Sequence, residues 1–297
     1  MPKIPNPVLK KLGLASDDRV AIIHTDDIGM CQASVEAFAD LNEAGIISSG
    51  AVMIPCPWFL HAAEYARQHP GTDLGVHLTL TSEWKTYRWG PISTRDPASG
   101  MLDEQGYFHH LSAPAQEHGD PAAVERELTA QVERALQAGM LPSHVDTHMG
   151  SVAHPKFMGI YIQLALKFHI PPMIFRLDEA GWQAAGLEPE FASTAVSLIQ
   201  QLEGSGLPLL DALGGMTLDS EENRLARTLQ AFSDLQPGIT HFIIHPSRDT
   251  PELRAITPDW RCRVADYQNF LKDEIRQHLR KIGVHVIGYQ ALKELMP

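Results

Sequence analysis

The sequence predicts a barrel of parallel β-strands alternating with α-helices. Three observations point there. Apolar, β-rich runs alternate with amphipathic stretches about eight times along the chain. A length of 297 residues suits one α/β barrel. His and Asp residues stand at the ends of several β-rich runs, where the active sites of parallel barrels gather.

Arg19 to Thr25 reads as the first strand, followed by a helix ending near Gly45. Ser49 to Ile54 is the second, with a helical segment from about Trp58 to Gln68, and Leu74 to Leu80 is the third. An irregular stretch from Thr81 to about Gly119 follows; its aromatic residues argue for order, and loops that long are commonly functional. A helix runs from Pro121, suited to a first turn, to Gly139, suited to a helix end. Ser143 to Thr147 is the fourth strand, with a helix from about Pro155 to Phe168. Met173 to Leu177 and Leu207 to Ala212 are the fifth and sixth, separated by a helix over Phe191 to Glu203. A helix from Ser220 to Leu235 leads to the seventh strand, Ile239 to His245. One long helix, Trp260 to Lys281, precedes the eighth, Val284 to Gly288. Alternation implies parallel strands with right-handed crossovers, and about eight such units fit a barrel better than an open sheet. With no linker or repeat in view, residues 1–297 are expected to form a single catalytic barrel with a loop insertion at about 81–119.

Composition narrows the function. With 24 basic and 36 acidic residues the net charge is −12, which disfavours nucleic acid or an anionic membrane as partner. Cys31, Cys56 and Cys262 are widely spaced and form no CxxC pair, so a thiolate zinc site is not expected and the thiols read as free. The N-terminal residues lack the apolar core of a signal peptide, and no apolar run has the length of a membrane span. A cytoplasmic protein is expected.

The densest chemistry is His144-Val145-Asp146-Thr147-His148, at the end of the fourth strand. Alternate residues of a strand share a side, so both imidazoles and the carboxylate converge. Asp26-Asp27, His77, Arg176 and His245 stand at or near the ends of other strands. Together they suggest one divalent-metal hydrolytic site, because two His and a carboxylate leave positions open on a metal. The adjacent carboxylates make sense if one binds the metal and the other acts on water. Asp26-Asp27-Ile28-Gly29 also suits a turn and helix cap, and the two roles are compatible. Trp84 and Trp89 offer either a platform for a sugar ring or a cap on the barrel core. His144 reads equally as a support for the site or as structural.

These residues occur in an order that resembles a known family. His24-Thr25-Asp26-Asp27-Ile28-Gly29, Gly45-Ile46-Ile47-Ser48-Ser49, Gly75-Val76-His77-Leu78-Thr79-Leu80, His144-Val145-Asp146-Thr147-His148 and His245-Pro246 are similar to the motifs of the YdjC-like carbohydrate deacetylases, which include the chitooligosaccharide deacetylases. The likeness runs from about residue 19 to residue 290. It implies a distorted (β/α) TIM-like barrel with one divalent metal, zinc or magnesium, on Asp27, His77 and His148. It implies Asp26 as catalytic base, His245 as general acid and Arg176 beside the base. Asp146 would fix an imidazole tautomer. Two departures bear on the substrate: Gly150 stands where the family often has another His, and the segment from Glu83 to His118 is not typical of the chitooligosaccharide enzymes.

The expected reaction is hydrolysis of an N-acetyl group from an acetylated amino sugar or short oligosaccharide. An acetylated carbohydrate is the expected partner and a homodimer a candidate assembly. The alternatives are hydrolysis of another bond, such as a phosphoester or cyclic amide, and a non-catalytic sugar-binding relative.

Overall fold

The computed structural model describes residues 5–297. A short helix, α1 (Pro7–Lys11), is capped by Asn6, whose side chain accepts a hydrogen bond from the Val8 amide. It leads into β1 (Arg19–Ile28), α2 (Gln32–Glu43), β2 (Ser49–Val52), α3 (Phe59–Gln68) and β3 (Leu74–Leu78). The long connection after β3 contains α4 (Ser112–His118) and ends at α5 (Pro121–Gln137). Asp120 caps α5 by accepting from the Ala123 amide at 2.8 Å, with Pro121 in the first turn. Next come β4 (Val145–Thr147), α6 (Pro155–Phe168), α7 (Glu179–Ala184) and α8 (Pro189–Gly204). The chain finishes with β5 (Ala212–Gly215), α9 (Arg224–Ser233), β6 (Gly238–Ile244), α10 (Pro251–Ile256), α11 (Trp260–Phe270), α12 (Asp273–Ile282), β7 (Val284–Val286) and α13 (Tyr289–Lys293).

The strands are all parallel and lie in the order β4-β3-β2-β1-β6-β5, with β7 also paired to β1. The wall between β4 and β5 is completed by irregular chain. Val145 donates to the Pro171 carbonyl at 3.1 Å and accepts from the Met173 amide at 2.9 Å, while Arg176 donates to the Leu210 carbonyl at 2.7 Å. The result is a distorted (β/α) barrel. The expected fifth strand, Met173 to Leu177, is reduced to an isolated bridge at Phe175, with another at Pro172 just before it, where Pro171 and Pro172 have no N–H to give to a ladder. The sixth lies at Ala212–Gly215, later than Leu207 to Ala212. The long helix expected over Trp260 to Lys281 is two helices. Lys272 is extended, and Asp273 and Glu274 open α12 at the end where acidic groups suit the helix dipole.

β1 is buried on both faces. Ala21, Ile23 and Ile28 belong to the cluster between sheet and helices. Val20 and Ile22 belong to the interior cluster, with Leu210, Ile239, Val8 and Leu9 of α1, and Tyr289 and Leu292 of α13. The two short helices thus contribute apolar side chains to the barrel interior. Further along β1 the same face carries His24 and then Asp26.

The connection after β3 is ordered. Arg88 pairs with Asp103 at 2.7 Å and donates to the Phe108 carbonyl at 2.6 Å. Buried Glu127 of α5 accepts from the amides of Ile92 (3.1 Å) and Ser93 (2.8 Å), fastening the loop to the barrel.

Candidate metal centre and active site

Asp26 and Asp27 reach one site because the strand is irregular there. Strict alternation would send adjacent side chains to opposite faces. The β1–β2 register slips between Thr25 and Ile28, and Asp27 has φ +61°, in the left-handed region. A bulge of this kind re-aims a side chain, and Asp is among the few residues that tolerate the conformation.

Asp27 Oδ1 lies 3.2 Å from His148 Nδ1 and 3.6 Å from His77 Nε2. The far nitrogen of each imidazole is held by a carboxylate: His77 Nδ1 lies 2.7 Å from Asp146 Oδ1, and His148 Nε2 lies 3.0 Å from Glu83 Oε2. Arg263 donates to Asp27 Oδ2 at 2.7 Å and is itself paired with Asp259 at 2.7 Å. All three candidate ligands are buried.

The donor set fits a divalent cation. One atom each from Asp27, His77 and His148 lie within 4.8 Å of one another. Asp27 Oδ1 is buried and accepts no hydrogen bond of acceptable geometry. The imidazoles turn their remaining nitrogens toward it, with carboxylates orienting them from behind, as is usual for metal-bound histidines. His24, Asp26, Asp146 and His241 also lie close enough to share an ion. There, however, His24 already meets Asp26 through Nδ1 (2.7 Å) and His144 through Nε2 (2.9 Å), and His241 Nδ1 meets Tyr289 (2.8 Å).

Burial alone would raise the Asp26 carboxyl. The charge of His77, the hydrogen bond and charge of His24 and the charge of His245 outweigh it and hold the group well below the usual carboxylate range. Asp27 is likewise pulled well below by Arg263, His148 and His77 against the effect of burial. Burial lowers His148, but Glu83 and Asp27 prevail and raise it to about 9. Asp146 and Asp26 similarly push His77 well above its ordinary value against burial.

His245 Nε2 faces Asp26 Oδ2 at 3.9 Å, and its backbone amide donates to Asp266 at 3.1 Å. His144 lies behind the site. Its ring stacks on Tyr289 at 3.8 Å and contacts Ser143, which donates to Asp73 at 2.6 Å. A line of contacts therefore runs from Asp26 through His24, His144 and Ser143 to Asp73. Gly75 makes room for it, since a Cβ there would fall 2.4 Å from the His144 ring.

The Arg176 guanidinium pairs with Glu203 and, at 2.9 Å, with Asp211, while the groups acting on Asp26 are His24, His77 and His245. The cation against the carboxylate pair is Arg263. The two tryptophans also part company. Trp84 lines the cleft above the metal ligands, with the Arg263 guanidinium 5.7 Å from its ring. Trp89 is 3% exposed and packs behind, its indole N–H donating to the Thr81 carbonyl at 2.8 Å, which favours a core role. The sequence alone does not single out Glu83, Arg263 or His241; Glu83, an acidic residue just past the strand that carries His77, offered the only local signal.

The sequence profile of the YdjC-like protein family matches residues 20–281. The chain belongs to that family. A carbohydrate deacetylase of Thermus thermophilus is 32% identical over 97% of this chain and 99% of its own length. A carbohydrate deacetylase of Thermoanaerobacter pseudethanolicus is 22% identical over 92% of this chain and 98% of its own length. The fold is shared with the crystal structure of a candidate cellobiose-phosphate cleavage protein from Enterococcus faecalis. That structure has a TM-score of 0.74 at 21% identity and covers 93% of this chain and 99% of that one. Among the described residues no helix is long and apolar enough to cross a membrane.

Proposed function

We propose that this protein is a metal-dependent hydrolase that removes an N-acetyl group from an acetylated amino sugar or short oligosaccharide. The observation that carries the reading is the division of labour at the carboxylate pair. Asp27 faces two imidazoles in a metal-type triad, and Asp26 stands beside it facing His245. The names of the full-length relatives support an acetylated carbohydrate as substrate.

A divalent cation on Asp27, His77 and His148 would polarise the amide carbonyl and acidify water. Two imidazoles and one carboxylate suit zinc better than magnesium, which prefers oxygen donors. Asp26 Oδ1 is held by His24, so Oδ2 is the atom that takes the proton from the attacking water. His245 Nε2 protonates the departing amine nitrogen. Because Nε2 and Oδ2 face each other at 3.9 Å, the proton gained by Asp26 has a short return path to His245 once the product leaves. Asp146 and Glu83 keep the ligating nitrogens aimed, and Arg263 holds Asp27 ionised.

Acetate release from a panel of N-acetylated mono- and oligosaccharides tests the reading, using chelator-stripped protein and protein reloaded with zinc or magnesium. Turnover that survives stripping, or no acetate from any member with either metal, refutes it.

Two further results are expected. His245→Gln lowers kcat by about 10²–10⁴ and flattens the high-pH limb of kcat/KM, because a general acid must begin the step protonated. An activated ester, whose leaving group needs less protonation, suffers less. Near-normal kcat with raised KM would instead make His245 a substrate-hydroxyl contact. Trp84→Ala raises KM for the correct sugar more than it lowers thermal stability. Unchanged kinetics would leave Trp84 as a cover over Arg263.

A further inference from the structure

The cleft above Asp26 and Asp27 has a volume of about 1070 Å³, and its walls differ in chemistry. Most charged and ligating groups lie on the side formed by the ends of β1, β3, β4 and β6 and by the start of α11; Asp211, just before β5, also lines the cleft and is paired with Arg176. The remainder, from the chain after His148, residues 173–177, α7 and the segment around β5, presents Met149, Met173, Phe175, Leu177, Leu187 and Leu213. Met149 and Leu213 are 43% and 57% exposed. Met149 also has φ +51°, an unfavourable backbone for a side-chain-bearing residue, immediately after the metal-site His148. Past Trp182 and Leu187 the cleft adjoins a second chamber of about 180 Å³ among α6, α7 and α8. No Asp, Glu, Lys or Arg lines that chamber.

A sugar ring presents hydroxyls around its rim and needs polar partners. The side chains just named offer none and the chamber only His154, Thr194 and the Trp182 N–H, whereas both would bury hydrocarbon favourably. We propose that the apolar wall and the chamber bind a hydrocarbon aglycone of the substrate: an alkyl or lipid chain joined glycosidically to the N-acetylated ring. The inference rests on the deacetylase reading and narrows its substrate class. The aglycone is favoured over a long N-acyl chain by position. None of the chamber's residues belongs to the metal triad or to the Asp26–His245 pair, so whatever fills it lies outside the reacting groups. An acyl chain starts at the amide carbon, whereas a sugar ring separates the aglycone from it.

Calorimetric titration of the metal-loaded full chain with methyl, butyl, hexyl and octyl glycosides of N-acetylglucosamine, below their micellar concentrations, tests this. The expected result is about fourfold lower Kd per added methylene until the chamber is filled. Phe191→Ser, at a position 46% exposed and so tolerant of change, and Leu187→Asn are expected to flatten that slope. A flat series in the wild type overturns the proposal. So does an undiminished slope in both variants, or a chain-length slope found only with N-butyryl and N-hexanoyl glucosamine. Acetate release measured on the same glycosides separates the two readings. Acetate without a slope leaves the deacetylase and removes the hydrocarbon site; a slope with no acetate from any glycoside leaves the site and removes the deacetylase.

Discussion

Asp26→Asn is expected to lower acetate release by about 10²–10⁴ while metal content stays near that of the wild type. The substitution keeps the shape of the side chain and deletes the proton acceptor. The metal-type triad keeps all three of its side chains, and Arg263 remains on Asp27. Elemental analysis beside kcat on the purified variant checks it. A large loss of metal would make Asp26 a ligand and exchange the roles of the two carboxylates. The pH profile carries a related expectation. Asp26 is already held well below the usual range by His77, His24 and His245, and a nearby cation acts in the same direction. Asp26 therefore stays ionised through ordinary acid conditions. The low-pH limb should follow protonation of the imidazoles that hold the metal, and so should track metal loss.

His148→Ala should remove both metal and activity. It deletes one of three ligands and leaves Asp27 Oδ1 without its 3.2 Å neighbour. Glu83→Gln is the graded companion. The Glu83 carboxylate lies against the far nitrogen of His148, so its loss should weaken metal affinity by about 10–100-fold without abolishing binding. Metal titration monitored by calorimetry distinguishes the two. Wild-type occupancy in His148→Ala would end the assignment of this triad, and an unaltered affinity in Glu83→Gln would show that His148 is positioned by other contacts.

Strands whose apolar character continues without interruption were readable from the sequence. β1, β2, β3, β4 and β6 fall within the predicted runs or overrun them by a few residues, and α5 and α6 begin at the predicted prolines. The errors have local causes. The β-rich run Met173 to Leu177 follows Pro171 and Pro172, which have no N–H for a ladder, and β5 runs through Gly214-Gly215, which carries little strand signal. Residue types at strand ends were enough to suggest a metal site, because parallel topology brings those ends together; the particular set Asp27, His77 and His148 came from the family resemblance. Pairings across the chain were not readable. Arg263 meets Asp27 across 236 positions, and nothing in either neighbourhood marks the contact. Arg176, nominated by resemblance, is claimed by Glu203 and Asp211, acidic residues whose proximity only the irregular wall between β4 and β5 creates.

The slip in β1 has a consequence for how such a protein could change over evolutionary time. Position 27 requires a residue at ease with positive φ and, for metal binding, a negative oxygen. Asn meets the first requirement nearly as well as Asp and fails the second. A single Asp27→Asn step would therefore preserve the backbone, the barrel and the sugar-sized cleft while withdrawing the ligand charge. Most other residues would strain the strand as well. A single codon change at position 27 would thus be enough to turn a catalyst toward a carbohydrate receptor on this scaffold.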